Sequence, residues 1–427
     1  MINLFLYFYQ IYNVFSYIIK LNFQSLPKSY TDNIESNIEQ LYEVKLITNL
    51  TIGTPPKTIN TLIQFTVYEY FIVDNKSDTS FYSKDSSESF YPDTKYPELF
   101  YETMFQYGFY SQETFIFNNI TNEEIKIEQL TTIIAVDTKL KYHSYLGLTY
   151  DDYSEDHKIN FLESLSHKKN ITHKVFSIEF LNDNEGEIIF GSLPHIYNKE
   201  EYDENDLKWN NIGIEFQYMY WNIYFDSIFF DNEKYEGKSY CYLEYELNVI
   251  YAPKEYKKKL DDTFFLDNIN KCKEYFNIAN IEKRNLSFFV CDKELNYKKF
   301  PKIIFKSNEY NFEFVLDYKD LFKEISGKLY FLVVFEQSNI FYRWRVGIPF
   351  IKNHLFIFDQ KNKAIGFYTK KKIKKKFPIY LIILAVIIIC LLIIIIFNIR
   401  KIKRKKRANE IEDEYNYIPQ NIFKTNN

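Results

Sequence analysis

Among the residues that could do chemistry in this chain, the cysteines are considered first. The histidines form no recognisable ligand pattern. None of the six histidines belongs to an HExxH motif and no CxxC pair occurs, so the sequence gives no signal for a metal site or a cofactor. Cys272 and Cys291 are close in sequence within a region predicted to be exported, which favours a disulfide over a metal site. Cys241 is then free or bound to an unknown partner, and Cys390 lies in an apolar segment.

Asparagine sequons are the second chemical feature, and all five precede residue 377. They predict N-glycosylation at Asn49, Asn75, Asn119, Asn170 and Asn285. In an Asn-rich chain, some of these matches arise by chance. The formal net charge of −4 and the isoelectric point near 6.0 give no reason to expect a nucleic-acid partner.

Two apolar segments predict export and a membrane anchor. Residues 1–25 are apolar enough for a signal peptide, although polar residues interrupt them. Residues 377–397 carry no charge, and as a helix these 21 residues would span about 31 Å, enough to cross a bilayer. Basic clusters at 370–376 and 400–407 flank this segment on both sides, so the positive-inside rule does not set the orientation.

The signal sets the orientation instead. It predicts a single-pass membrane protein of the secretory pathway or cell surface, with the ectodomain lumenal or extracellular and residues 398–427 in the cytosol. Within this tail, residues 415–418 fit a tyrosine-based sorting pattern, which is short enough to occur by chance.

The ectodomain reads as a mostly β structure. Between residues 42 and 370, short alternating segments such as KVFSIEFL, WNIYFDSIFF and HLFIFD are separated by polar turns. One helix is predicted at 159–167, with Ile159, Leu162 and Leu165 on one face. Two similar segments, YLGLTY at 145–150 and WRVGIPF at 344–350, each place a glycine after hydrophobic residues. This similarity predicts two homologous lobes.

A series of motifs in the same order resembles the pepsin-like aspartyl proteases. Nine segments over about 320 residues carry the resemblance; they include IGTPPK at 52–57, YG at 107–108, YLGLTY at 145–150, WNIYFDSI at 221–228 and WRVGIPF at 344–350. The resemblance implies a bilobal fold with lobes at residues 42–210 and 211–370. It also implies that Tyr107 lies at the tip of the flap that closes over substrate; in a chain with 39 tyrosines, a packed aromatic is the alternative.

The resemblance further implies two catalytic Asp-Thr/Ser-Gly loops whose carboxylates share a proton and activate water. Counting from IGTPPK places the first loop on Gln64, Phe65 and Thr66. Counting back from residues 251–253 places the second on residues 244–246, Glu-Tyr-Glu. All six positions depart from the family pattern.

These departures predict loss of catalysis. Gln64 cannot ionise, so no carboxylate pair exists, whatever the protonation state of Glu244. Phe65 and Tyr245 lack the small hydroxyl groups with which the family ties its two loops together, and Thr66 and Glu246 replace glycines. Asp74 lies well past the first loop and Asp226 matches a surface strand, so neither is expected to substitute. The short stretch between the signal and a first core strand at Tyr42 also predicts that the family's inhibitory pro-segment is missing.

Three functions are consistent with this sequence. The first is a binding module that holds a peptide or protein ligand in the cleft or on an outer face. The second is an atypical hydrolase, which the degenerate positions Gln64 and Glu244 disfavour. The third is a structural surface glycoprotein. The sequence does not separate the first from the third.

Overall fold

Alternating apolar residues build most of this protein as β-strands in the computed structural model, as the sequence predicts. The structure describes residues 17–67, 70–75, 81–92, 99–101, 105–136, 144–149, 160–167, 170–213, 220–276, 286–336, 343–371 and 379–416. By contacts the chain divides into residues 1–372 and residues 373–427.

The first half of the chain contains twelve described strands and three helices. The strands are β1 (Ile19–Ser25), β2 (Leu46–Ile52), β3 (Lys57–Gln64), β4 (Tyr70–Val73), β5 (Tyr91–Pro92), β6 (Leu99–Tyr101), β7 (Phe105–Asn119), β8 (Glu124–Val136), β9 (Ser144–Gly147), β10 (Val175–Phe180), β11 (Glu185–Phe190) and β12 (Leu207–Asn211). The helices are α1 (Ile34–Tyr42), α2 (Phe161–His167) and α3 (Pro194–Tyr197). Helix α2 is the helix predicted at 159–167, and Leu162 and Leu165 are buried; Ile159 lies outside the described residues.

The second half adds fifteen described strands and four helices. The strands are β13 (Asn222–Phe225), β14 (Ser227–Phe230), β15 (Glu233–Glu236), β16 (Ser239–Leu243), β17 (Ile250–Ala252), β18 (Cys272–Phe276), β19 (Leu286–Asp292), β20 (Ile303–Ser307), β21 (Phe312–Leu316), β22 (Phe322–Ile325), β23 (Lys328–Phe331), β24 (Val333–Glu336), β25 (Trp344–Val346), β26 (Phe356–Asp359) and β27 (Ala364–Tyr368). The helices are α4 (Lys254–Leu260), α5 (Tyr318–Leu321), α6 (Ile348–Ile351) and α7 (Ile379–Asn416).

Three sheets collect these strands. The largest has fourteen strands, in the order β12-β27-β26-β10-β11-β1-β2-β3-β9-β4-β8-β7-β5, with β6 paired to β7. A second sheet runs β13-β16-β25-β17-β24-β19-β23-β22, with β18 paired to β19, and a third runs β15-β14-β20-β21. Strands β26 and β27 therefore return from the second half to complete the sheet of the first half.

The two similar segments YLGLTY and WRVGIPF lie in a repeated arrangement of strands. In the first half, β3 is parallel to β9, β9 is antiparallel to β4, and β4 is parallel to β8. In the second half, β16 is parallel to β25, β25 is antiparallel to β17, and β17 is parallel to β24. The two similar segments thus supply the equivalent strands β9 and β25. The first degenerate triplet begins at Gln64, the last residue of β3, and the second begins at Glu244, directly after β16.

The beginning of the fold corrects three sequence-based boundaries. Residues 19–25, assigned to the signal peptide, form β1, which pairs with β2, β7 and β11 and buries Ile19, Leu21 and Phe23. Their alternation with polar residues is a strand pattern that adjoining apolar residues obscure. Tyr42 ends α1 rather than starting the first core strand, and a lobe that begins at 42 omits β1. Residues 1–16 of the predicted signal lie outside the described residues.

The C-terminal unit contains one helix in its described part, α7. Its side chains are exposed over the described apolar stretch, as at Ile387, Leu391 and Phe397. Over the described part of the chain, we find no helix with both the length and the hydropathy to cross a membrane. Residues 377 and 378 of the predicted span are outside that part.

Candidate functional site

The two degenerate triplets occupy equivalent places in the repeated strand arrangement. Gln64 ends β3 opposite Gly147 of β9, and its carbonyl accepts a hydrogen bond from the Leu148 amide at 2.8 Å. Glu244 directly follows β16, and its amide donates to the Val346 carbonyl of β25 at 3.0 Å. The backbone of each triplet is therefore fixed by the neighbouring parallel strand.

The central residues of the two triplets meet face to face. The rings of Phe65 and Tyr245 are stacked, with centroids 4.0 Å apart and planes inclined by 20°. Both side chains are buried, and both pack against Phe358 at centroid distances of 5.9 and 6.0 Å. Burial raises the pKa of the Tyr245 hydroxyl well above its ordinary value. An apolar aromatic contact therefore joins the two loops.

Glu246 adds a polar connection between the same loops. Its Oε1 accepts hydrogen bonds from the backbone amides of Phe65 and Thr66, the latter at 3.2 Å, and from Thr66 Oγ1 at 3.4 Å. Its Oε2 is buried and has no hydrogen-bond partner among the described residues. Burial raises the pKa of the Glu246 carboxyl to about 7, and the nearby charge of Glu244 acts in the same direction.

Glu244 is neutralised by an arginine of the adjacent strand. Arg345 on β25 binds both carboxylate oxygens, with Nε 2.5 Å from Oε1 and Nη2 2.5 Å from Oε2. The two side chains are 14% and 8% exposed, so the pair is almost fully withdrawn from water. The guanidinium also lies 4.5 Å from the ring centroid of Tyr251. Both oxygens of Glu244 are thus engaged in a charge-assisted, bidentate contact.

The motif series and the mostly β architecture agree with one protein family. The family model for the eukaryotic aspartyl proteases matches residues 45–370. The chain belongs to this family. No curated protein matches the chain at a significant level. The pepsin-like fold predicted from the motif series is therefore correct, and the mostly β architecture fits it.

The other acids suggested for this family's chemistry lie in structural roles. Asp226 precedes β14, and its Oδ2 accepts a hydrogen bond from the Asn308 amide at 2.7 Å. Asp74 is buried, and its Oδ1 accepts from the Lys84 amide at 3.3 Å. Among the described residues, no group of three or more His, Cys, Asp or Glu side chains could hold a metal ion.

The flap candidate is described only in part. Tyr107 lies on β7 with its backbone opposite Val136 of β8. Its side chain is outside the described part of the chain, so its role over a cleft stays a prediction.

The cysteine prediction is confirmed for one pair. Cys272 and Cys291 lie directly opposite each other on the antiparallel strands β18 and β19 and form a disulfide. Cys241 is a free thiol buried on β16, and Cys390 is a free, exposed thiol on α7. Burial raises the pKa of the Cys241 thiol well above its ordinary value.

The sequons differ in accessibility. Asn49 is exposed on β2, and Asn75 is half-buried. Asn119 forms a turn in which its Oδ1 accepts from the Thr121 hydroxyl at 2.7 Å and its Nδ2 donates to Glu123 at 2.8 Å. The Nδ2 of Asn170 is buried. Asn285 lies outside the described residues.

Two residues that organise the site are missed by the sequence analysis. Arg345 lies between the apolar residues Trp344 and Val346 in the segment WRVGIPF, and a charged residue that is buried in a strand requires a partner. That requirement could have pointed to Glu244. Glu246 is interpreted only as a lost glycine, whereas it also supplies an acceptor for the opposite loop.

The raised pKa of Glu246 predicts a specific pH dependence of stability. Between about pH 4.5 and pH 7, the folded protein keeps a proton on Glu246 that the unfolded chain has released. Stability contributed by this group therefore falls as the pH rises through that window, by at most about 3 kcal/mol. We expect Glu246→Gln to remove this contribution while keeping an acceptor for the Phe65 and Thr66 amides.

Urea denaturation of wild type and Glu246→Gln between pH 4.5 and 7.5 measures this effect. The quantity to compare is the difference between the two proteins at each pH, because other carboxyl groups contribute equally to both. The variant should gain stability relative to wild type as the pH rises. A difference that stays constant over the range would contradict the assignment.

Proposed function

We propose that this chain is a catalytically inactive aspartyl protease relative that binds a peptide or protein ligand instead of cleaving it. The observation that carries the proposal is the bidentate contact of Arg345 with Glu244. Gln64, at the equivalent place in the other strand arrangement, cannot ionise. Peptide hydrolysis in this family needs one carboxylate as base and one carboxyl group as acid at these two positions. Neither role is available here.

An atypical hydrolase would need another reachable acid near the loops. Glu246 is the nearest alternative, but its Oε1 is used by two backbone amides and its Oε2 is buried. A general base must come within hydrogen-bond reach of the substrate or of its attacking water. Glu246 therefore supports loop geometry and not hydrolysis.

The connection between the loops favours a binding role over the alternative of a passive surface glycoprotein. The Phe65–Tyr245 stack and the Glu246 hydrogen bonds hold the two triplets together after the residues of catalysis are lost. Thr66 stays exposed beside them. We infer that a ligand contacts this surface.

Site-specific photocrosslinking tests the binding role. A photoreactive amino acid at Thr66 of the full-length chain, expressed in its native cells, should capture one defined partner or peptide. The same amino acid at Asn232, which is exposed in the turn after β14, serves as the matched control and should not capture it. Capture at neither position, or equal capture at both, would favour the passive surface glycoprotein.

We also propose that residues 377–397 anchor the chain in a membrane of the secretory route. The uncharged run and its basic flanks support this, as do the exposed apolar side chains of the described part of α7. In sealed microsomes, we expect protease added outside to remove residues 398–427 and spare the N-terminal part. Protection of the tail with loss of the N-terminal part would show the opposite orientation.

The proposed orientation and the accessibility of each sequon asparagine together predict which sites carry a glycan. Asn49 is exposed, whereas the Asn170 Nδ2 is buried in the fold. We therefore expect a glycan on Asn49 and an unmodified Asn170. Peptide mass mapping after enzymatic deglycosylation measures both sites. A glycan on Asn170 would contradict the packing at that position, and an absence of glycan from every sequon would contradict the lumenal orientation.

A further inference from the structure

A basic cavity is lined in part by the turn between β10 and β11 and borders the second of the paired loops. Its lining residue Phe180 stacks on Tyr245 at a centroid distance of 6.3 Å, and the Val44 amide donates to the Glu246 carbonyl at 2.8 Å. The volume of the cavity is about 730 Å³, within the range of small-molecule sites. Among the described residues, four lysines line it, Lys28, Lys319, Lys323 and Lys352, together with a single acidic residue, Asp183. The lining therefore carries an excess of positive charge, although the whole chain has a formal net charge of −4.

The lysines are only partly neutralised by their neighbours. Lys352 Nζ lies 2.9 Å from Asp183 Oδ1, and this contact lowers the pKa of the Asp183 carboxyl. Lys28 Nζ donates to the carbonyl of Glu43 at 2.7 Å, and Lys323 lies over the ring of Tyr30. No salt bridge within the described residues involves Lys28, Lys319 or Lys323.

The charges act on one another across the cavity. Burial and the charge of Lys323 lower the pKa of Lys28 to about 7, against the opposing charge of Glu43. Burial and the charge of Lys352 also lower the pKa of Lys323, against the opposing charge of Asp183. Repulsion of this kind is relieved when an anion enters such a site.

We propose that this cavity binds a small multivalent oxyanion of the phosphate or sulfate class. Ammonium groups are compact donors that suit the oxygens of such anions, and the side chains of Asn184 and Asn248 supply further polar groups at the wall. The half-buried ring of Phe180 gives an apolar surface for the body of the ligand. The proposal rests on the lysines of the cavity and does not require the loss of catalysis at the paired loops.

Calorimetric titration of tripolyphosphate into the full-length chain at pH 7.5 tests the site. We expect saturable binding of one anion per chain. Because tripolyphosphate also titrates near this pH, the proton taken up by Lys28, roughly half a proton or more, is obtained as the difference in net proton exchange between wild type and Lys28→Gln. The exchange is measured by repeating the titration in buffers with different ionisation enthalpies. Absence of saturable binding would overturn the proposal.

Single lysine variants test whether the anion binds in the cavity. Lys323→Gln and Lys28→Gln should each weaken the affinity by about tenfold, and Lys28→Gln should also remove the part of the proton exchange that belongs to Lys28. Lys298→Gln, at an exposed lysine that does not line the cavity, is the matched control and should change the affinity less than twofold. Circular dichroism confirms that each variant is folded. Equal weakening by Lys298→Gln and the cavity variants would mean diffuse charge attraction, and the site would be rejected.

A competition experiment separates two sources of the oxyanion. Displacement of tripolyphosphate by vesicles containing phosphatidic acid, but not by neutral vesicles, would identify a lipid headgroup as the ligand class. Retention of tripolyphosphate in the presence of both vesicles would support a soluble anion.

Discussion

The purified full-length chain is expected to leave peptides intact between pH 2 and pH 7. Gln64 is neutral at every pH, so no protonation state gives one acid and one base at the two positions. Loss of a residue that acts within a catalytic unit costs on the order of 10⁴-fold to 10⁶-fold in rate. This is the largest effect we predict for the molecule.

The double variant Gln64→Asp/Glu244→Asp is also expected to be inactive. An aspartate at 244 would still lie beside the guanidinium of Arg345, which would hold it as an ion pair instead of leaving it to share a proton. The stacked rings of Phe65 and Tyr245 would also still occupy the place of two small hydroxyl residues. Displacement of a reacting group by about 1 Å can cost on the order of 100-fold in rate.

Cleavage of a quenched fluorescent peptide library measures both proteins, with an active family member as positive control. Pepstatin resembles the family's transition state, so it should bind wild type weakly or not at all. Pepstatin-sensitive turnover by wild type would refute the central proposal and the assignment of the two triplets. Activity of the double variant alone would show that the surrounding loops tolerate catalysis.

Much of the fold could be predicted because its strands are local patterns. The alternation in KVFSIEFL and HLFIFD gives β10 and β26, which pair with each other and bury Phe176 against Phe358. The position of β1 could not be read in the same way. Its alternation continues directly from the apolar N-terminus, so a hydrophobic segment long enough for a signal conceals it.

The contacts made by the candidate site residues could not be predicted from the sequence. Motif spacing placed Gln64 and Glu244, and the structure brings their triplets together through residues 65 and 245. The partners of the acids depend on pairing between strands that are about 100 residues apart. Tyr242 lies opposite Arg345 in the parallel pair β16 and β25, and no local pattern specifies that register.

The Glu244–Arg345 ion pair at the second loop should also contribute strongly to the free energy of unfolding. Replacement of Arg345 by Met would leave the carboxylate of Glu244 buried without its bidentate partner. Breaking a buried ion pair from one side typically costs about 3 to 5 kcal/mol. We expect Arg345→Met to lower the free energy of unfolding at pH 7 by this amount.

A double-mutant cycle separates the buried charge from the lost contacts of the arginine. Glu244→Gln/Arg345→Met has no uncompensated charge, so it should recover more than half of the stability lost in Arg345→Met. Lys126→Met is the control, because it removes the exposed Lys126–Glu128 pair and should cost less than about 1 kcal/mol. Urea denaturation followed by tryptophan fluorescence gives the five values required, for wild type, Arg345→Met, Glu244→Gln, the double variant and the control. If the double variant is no more stable than Arg345→Met, desolvation of Glu244 is not the main cost. Arg345 would then stabilise the strand chiefly through its packing on Tyr251.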